Sequence, residues 1–313
     1  MIDRITSRAV IGRFYRTLEQ DAGIGWVDPV SMYFRSDQES EEYAWLGQTP
    51  AMREWVGGRH AKGFNENKIL VKNKHFEATL EVPVRHMRRD KSGQVMTRID
   101  ELAMRANAHW ATLLSTLIIG GESTVCYDGQ FFFDTVHEEG DSGSQSNDIS
   151  ADISGYPTGI HGTPAKPSVA EMQHAIMDGL QQLARVRDDQ GEPMNETARR
   201  FVVITPSSLY TIASQAIKTP SGTTLEQLGL PEDYEVSVAQ NVRLDTWTDK
   251  FAIFRTDGRV KPFIRQEEDG LSLKAKAEGS DFEFDNDVHQ YVVDTWREVA
   301  YGYWQHACLV NLI

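Results

Sequence analysis

YAWLGQTPAMREWVGG, residues Tyr43 to Gly58, sets two tryptophans, Trp45 and Trp55, on either side of Gln48-Thr49-Pro50 and closes on a glycine pair. Proline and glycine at these places mark turns. Two large aromatic side chains flanking a turn need a surface to bury them, and either a ligand pocket or a packing contact would serve. The choice rests on what the flanking segments build.

Upstream, residues 1 to 20 interleave Arg4, Arg8, Arg13 and Arg16 with Ile5, Val10, Ile11, Phe14 and Leu18, a pattern that predicts a short helix suited to lie on a partner. Residues 21 to 42 carry Gly23, Gly25, Pro29 and the acidic cluster Asp37, Glu39, Glu41 and Glu42 around Trp26, Tyr33 and Phe34. They predict an extended arm whose aromatics want a surface.

Downstream, NKILVKNKHFEATLEVPV (Asn67 to Val84) predicts a hairpin, free-standing or inside a larger sheet. Ile69 and Val71 alternate on one limb, and Phe76, Ala78, Leu80 and Val82 on the other, around a turn near Asn73 and Lys74. An isolated hairpin is barely stable in water, so this one needs a neighbour. A basic cluster, Arg85 to Lys91, follows. Ile99, Leu102, Ala103, Ala106, Trp110, Leu113, Leu114 and Leu117 then share one face of a helix of roughly 24 residues, stopped at Gly120-Gly121. Asn107 and His109 sit among these apolar positions, where a histidine reads as a hydrogen-bonded structural residue.

TVCYDGQFFFDTV, Thr124 to Val136, predicts a second hairpin over Asp128-Gly129. Glu138 to Pro167 is rich in Gly, Ser, Asp and Pro and predicts a long loop or lobe boundary. Ser168 and Glu171 have capping-box spacing and open a helix with the stripe Val169, Met172, Ile176, Leu180 and Leu183. A buried strand at Phe201 to Ile204 runs through Thr205-Pro206 into another helix. Strands are expected at Tyr234 to Val242, Phe251 to Arg255, Val260 to Arg265 and in a terminal set from Phe282 to Cys308. Helices and strands mixed without a βαβ rhythm indicate an α+β class.

Composition narrows the function. A chain of 313 residues, 40% hydrophobic, has material for two lobes. Thirty-two basic against 46 acidic residues give a formal charge of −14, which opposes nonspecific attachment to a phosphate backbone. No apolar run approaches a membrane span, and MIDRITSRAVIGRFYRTLEQ has no secretory apolar core, so a soluble product made in the cytosol is expected. Cys126 and Cys308 are far apart and lack CxxC partners, which predicts two small buried residues. The sequence contains no phosphate loop, dinucleotide fingerprint, HExxH or GxSxG. The one acid–base grouping is Asp134, His137, Glu138 and Glu139 with His161, and its spacing matches no metal-ligand pattern. A soluble enzyme or ligand-binding module working through the Asp134/His137/Glu138 region is the alternative reading.

Three segments carry a resemblance: EEYAWLGQTPAMREWVGGR (Glu41 to Arg59), KNKHFEATLEV (Lys72 to Val82) and CYDGQFFFDTVH (Cys126 to His137). In these, and more loosely over its whole length, the chain resembles the Mu-like bacteriophage major head subunit family, tailed-phage capsid proteins of the Hong Kong 97-type fold. It departs from the family where the segment after the predicted hairpin is basic (Arg85, Arg88, Arg89, Lys91) rather than acidic, and where Glu-Glu follows His137.

The resemblance implies an α+β Hong Kong 97-type architecture: an N-terminal arm (1–40), a segment leading into the P-domain (41–56), an extended E-loop hairpin (57–90), a P-domain (91–154) with a spine helix at about 93–119, an A-domain (155–280) and C-terminal P-domain strands (281–313). It implies a homo-oligomer of hexamers and pentamers in an icosahedral shell enclosing double-stranded DNA, without catalysis, cofactor, metal or membrane. Scaffolding, portal and decoration proteins are the implied partners, the host bacterial cytoplasm the place of assembly, and the virion the destination. Inter-subunit contacts are then expected from the E-loop (Lys68, Lys72, Asn73, Lys74, Glu77, Glu81, Arg85, Arg88, Arg89) and from the arm (Phe14, Trp26, Tyr33, Phe34), with Trp45, Trp55 and Trp110 as structural anchors.

Overall fold

The computed structural model of the protein describes residues 6–44, 68–90, 93–218 and 233–313. Trp45 and Trp55 lie outside the described residues, as does the side chain of Lys68. The chain opens with α1 (Ser7–Gln20), α2 (Val27–Val30), β1 (Ser31–Arg35), β2 (Ser40–Ala44), β3 (Lys68–Lys72) and β4 (Lys74–Pro83). Next come α3 (Val84–Arg89), α4 (Gln94–Asn107), α5 (His109–Gly120) and β5 (Asp148–Ala151). The remainder is α6 (Val169–Arg185), β6 (Arg200–Thr205), α7 (Ser207–Ile217), β7 (Glu235–Gln240), β8 (Lys250–Arg255), β9 (Phe263–Lys276), α8 (Asp281–Asn286), β10 (Val288–Tyr301) and β11 (Ala307–Leu312).

Two sheets organise these elements. A long sheet runs β1-β9-β10-β4, built on β9 and β10, each 14 residues and so roughly 45 Å end to end. The second, compact sheet runs β5-β11-β8-β6-β7. Three cores follow. Helix α5 packs its Ala111, Leu114 and Ile118 against Phe132, Phe133, Phe263, Tyr301 and Trp304, where the two sheets meet. Helices α6 and α7 cover the compact sheet through Met172, Ile176, Leu180, Leu209 and Ala213 on Val203, Ile253 and Val310. Close approach there depends on Gly179, since a Cβ at that position would fall 2.6 Å from Ile253 Cδ1. Helices α1 and α4 cover the long sheet through Val10, Phe14, Ile99 and Ala103 on Leu273, Tyr291 and Val293.

Several local expectations match the structure: α1 forms, and Ser168 and Glu171 make the full capping box of α6. Others are corrected. The strands on either side of Asn73 do not pair as a hairpin. Strand β3 pairs antiparallel with β2, Ser40 opposite Lys72 and Ala44 opposite Lys68, whereas β4 pairs with β10. Period-two alternation reports which faces a strand offers, not its partner. The helix expected at 93–119 is two helices, broken at Ala108, where Asn107 turns its side-chain amide to Asp21. The aromatic hairpin is a tight turn with the single bridge Val125 to Phe131, because Phe132 and Phe133 dive into the core.

The expected loop at 138–167 contains β5, an edge of the compact sheet parallel to β11. The strand expected from Val260 to Arg265 continues to Lys276 and lies in the long sheet, and Phe282 falls on helix α8 instead of a strand. Strand β11, expected with the other C-terminal strands, joins the compact sheet. Val169, placed on the buried stripe of α6, is exposed.

Candidate assembly surfaces

A two-stranded ribbon, β2–β3, stands apart from both sheets, and a polar clamp holds its base. Asn73, buried, donates from Nδ2 to Gln38 O at 3.0 Å and accepts from Gln266 Nε2 at 2.9 Å, while Tyr43 donates its hydroxyl to Gln266 Oε1 at 2.8 Å. Burial pushes the Tyr43 hydroxyl up to about 12, so it stays a donor at physiological pH. One side of the ribbon faces solvent, where Lys72 and Glu39 pair at 2.8 Å and Leu70 is 69% exposed, while Val71 on the other side is buried.

Beside the ribbon's exit, α4 and the face of β4, β9 and β10 enclose a groove of about 580 Å³. Its floor is apolar (Phe76, Ala78, Leu80, Leu102, Leu271, Val293) and its rim charged (Glu77, Arg98, Glu101, Arg105). Arg297, which also lines the groove, packs on Trp110. The Arg297 guanidinium lies 4.6 Å and that of Arg265 5.5 Å from its ring centre, and Tyr33 packs edge-on at 6.4 Å. Arg297 is fully buried with Glu267 3.9 Å away, and burial lowers its pKa. Trp110 thus joins α5 to the long sheet.

Other expected contact residues are dispersed. Phe14 and Trp26 are buried in their own chain's cores, and Asn73 in its own clamp, so these three do not offer an inter-subunit surface. For Phe14 and Trp26 the covering strands lie more than two hundred residues later, so the N-terminal segment by itself carries no sign of their burial. Tyr33 and Phe34 remain 43% and 37% exposed. Lys74 pairs with Glu298 of its own chain at 2.5 Å. Glu77, Glu81, Arg85, Arg88 and Arg89 are exposed.

The acid–base grouping is not assembled as a site. The His137 imidazole is fully buried and stacked on Trp304 at 3.9 Å between centres, with Nδ1 2.6 Å from the Asp128 carboxylate and Nε2 3.1 Å from Asn147 Oδ1. Both nitrogens therefore face oxygens and neither is open to a metal or a substrate. Asp134 caps the backbone N–H groups of Thr135 and Val136, and His161 lies elsewhere, against Glu171 at 3.0 Å. Among the described residues no group of three or more acidic, His or Cys side chains is arranged to hold a metal. Cys126 and Cys308 are buried free thiols with pKa values raised by burial. Sequence reasoning missed the partners of His137; Asn147 and Trp304 lie in segments without periodicity that would point to it.

Residues 7–158 match the family described as Mu-like prophage major head subunit gpT. Over this segment, just under half of its length, the chain is similar to that family. The Mu-like prophage FluMu major head subunit of Haemophilus influenzae is 31% identical over 132 residues, 42% of this chain and 43% of that protein. The major capsid protein of Escherichia phage Mu is 32% identical over 108 residues, 34% of this chain and 35% of that protein. The aligned stretch thus spans less than half of either relative. A solved procapsid of bacteriophage JBD30 superposes over 98% of this chain and 76% of its own, with a TM-score of 0.54 and 22% identity. The fold is the Hong Kong 97-type capsid fold, mixed α+β as expected.

Proposed function

We propose that this chain is a capsid-building subunit whose copies associate into hexamers and pentamers of an icosahedral shell around double-stranded DNA. The match of residues 7–158 to the major head subunit family carries this reading, and the capsid fold along the whole chain supports it. The β2–β3 ribbon with residues 45–67 corresponds to the E-loop, α4 and α5 to the spine, the long sheet to the P-domain and the compact sheet with α6 and α7 to the A-domain. The ribbon pairs in neither of the larger sheets, and the groove between α4 and the long sheet gives a neighbour's E-loop an apolar bed.

The net charge of −14 suits a shell that lines packed DNA without adhering to it. Scaffolding, portal and decoration proteins would meet this shell during assembly in the host cytoplasm, and the finished chain resides in the virion. It performs no turnover: the imidazole at the centre of the one acid–base grouping has both nitrogens engaged. Size-exclusion chromatography with negative-stain microscopy tests the reading. Capsomers, tubes or closed shells are expected, and a purified chain that stays monomeric at every concentration would overturn it.

A further inference from the structure

The arginines after β4, Arg85, Arg88 and Arg89, where the chain departs from its resemblance, have no charge partner among the described residues. In helix α3, Arg85, His86, Arg88 and Arg89 are all exposed and form no ion pair there. Beside them, a second groove of about 480 Å³ is lined by Leu80, Val82, Pro83 and Val95, with His86, Arg89 and Arg98 as its basic and Glu81 and Asp90 as its acidic members.

At the same end of the long sheet, α8 carries the opposite character. Its sequence, Asp-Phe-Glu-Phe-Asp-Asn, projects Phe284, which at 90% is the most exposed large apolar side chain among the described residues. Asp281 and Asp285 flank it, exposed and without an ion pair. Glu283 instead holds the helix in place, receiving His289 Nε2 at 3.0 Å and the Gly279 N–H at 2.7 Å. The backbone sets α8 next to α3 in one chain, with Val84 N–H donating to Asp287 O, yet no acid of α8 turns back to an arginine of α3.

We propose that α8 of one copy docks on the α3 groove of a second copy, with Phe284 meeting the groove's apolar residues and Asp281 and Asp285 facing Arg88 and Arg89. This rests on the capsid reading and gives its shell a specific contact. Charge complementarity names the occupant: the chain is acidic overall, and α3 is a concentrated basic surface that α8 of another copy can neutralise. A fully solvated phenylalanine gains by burial, and an aromatic anchor ringed by complementary charge is the usual form of an interface centre. Because α3 and α8 are neighbours in one chain, the two copies can exchange the contact reciprocally across a two-fold axis.

The test expresses the wild-type chain, Phe284→Asp, Asp281→Lys with Asp285→Lys, Arg88→Glu with Arg89→Glu, and the combination of both charge reversals. Sedimentable particles are measured beside the circular dichroism of each soluble chain. We expect each single set to lower particle yield roughly ten-fold or more with an unchanged spectrum, and the combined reversal to recover most of it. Wild-type yield from Phe284→Asp, or no recovery in the combination, overturns the contact. Loss confined to the arginine reversal assigns α3 to a different protein and also overturns it. A wild-type chain that forms no particles removes the capsid reading and the contact together.

Discussion

Glu139 shows how burial at one residue becomes a property of the fold. It accepts Gln305 Nε2 at 3.0 Å and bonds with Tyr127, and burial, reinforced by the nearby Asp128 and Asp189 carboxylates, pushes its pKa up to about 7. The folded chain therefore keeps this proton to a higher pH than the unfolded chain, whose carboxyl titrates near 4.5. The stabilisation is complete below about pH 4.5 and is lost as pH rises through about 7, a span worth roughly 3 kcal/mol. Glu139→Gln keeps the shape and removes the titration. Its Tm should differ little from wild type at pH 5 and exceed it at pH 8. Burial lowers His109 to about 4 and His306 to about 3, which works in the opposite direction, so the difference between the two proteins is the quantity to measure. A difference independent of pH would show that Glu139 is ionised throughout.

His137 is the companion case. Replacing it with Ala would leave the buried Asp128 carboxylate without its 2.6 Å partner, at a cost of about 3–5 kcal/mol in chemical denaturation. An exposed, substrate-facing histidine would cost far less.

Among the elements, α1 separates two kinds of support. Phe14 is fully buried against the long sheet, while Arg13 makes a two-pronged bond to Asp100 at 2.6 and 2.7 Å from a solvated position. Phe14→Ala should destabilise the isolated chain by about 3–5 kcal/mol, whereas Arg13→Ala should leave its unfolding midpoint nearly unchanged. Were Phe14 a contact between subunits, its loss would spare the isolated chain and weaken only particles. What was legible in the sequence follows the same division. Helices α1 and α6 were readable because their stripes and the Ser168–Glu171 cap are local signals. Strand β5 was not, since four residues in a Gly/Ser/Asp-rich stretch take their order from β11, which lies at the far end of the chain. The break at Ala108 is not legible in the sequence because the apolar stripe passes through it; the bond from Asn107 to Asp21 beside it is tertiary. The His137 grouping was legible as a cluster of polar residues but not as a closed one, because Asn147 and Trp304 complete it through tertiary contact.

For the whole molecule, the decisive division lies between what the chain needs to fold and what it needs to assemble. The three cores are built by α1–α7 and the two sheets, and no described residue of the β2–β3 ribbon belongs to them. Ala44 and Lys68 face each other as the last described pair of that ribbon, so their backbones are about 5 Å apart and a two-residue turn can join them. Replacing residues 45–67 with Asn-Gly should therefore leave the circular dichroism spectrum and the unfolding midpoint of the isolated chain nearly as they were. On the proposed capsid reading the same replacement should abolish capsomers and shells in sedimentation and microscopy, because segment 45–67 belongs to the proposed E-loop. Normal shells from the shortened chain would show that segment 45–67, with Trp45 and Trp55, is dispensable for assembly. Loss of folding in the monomer would instead place those tryptophans in their own chain's core, in the company of Trp26 and Trp304.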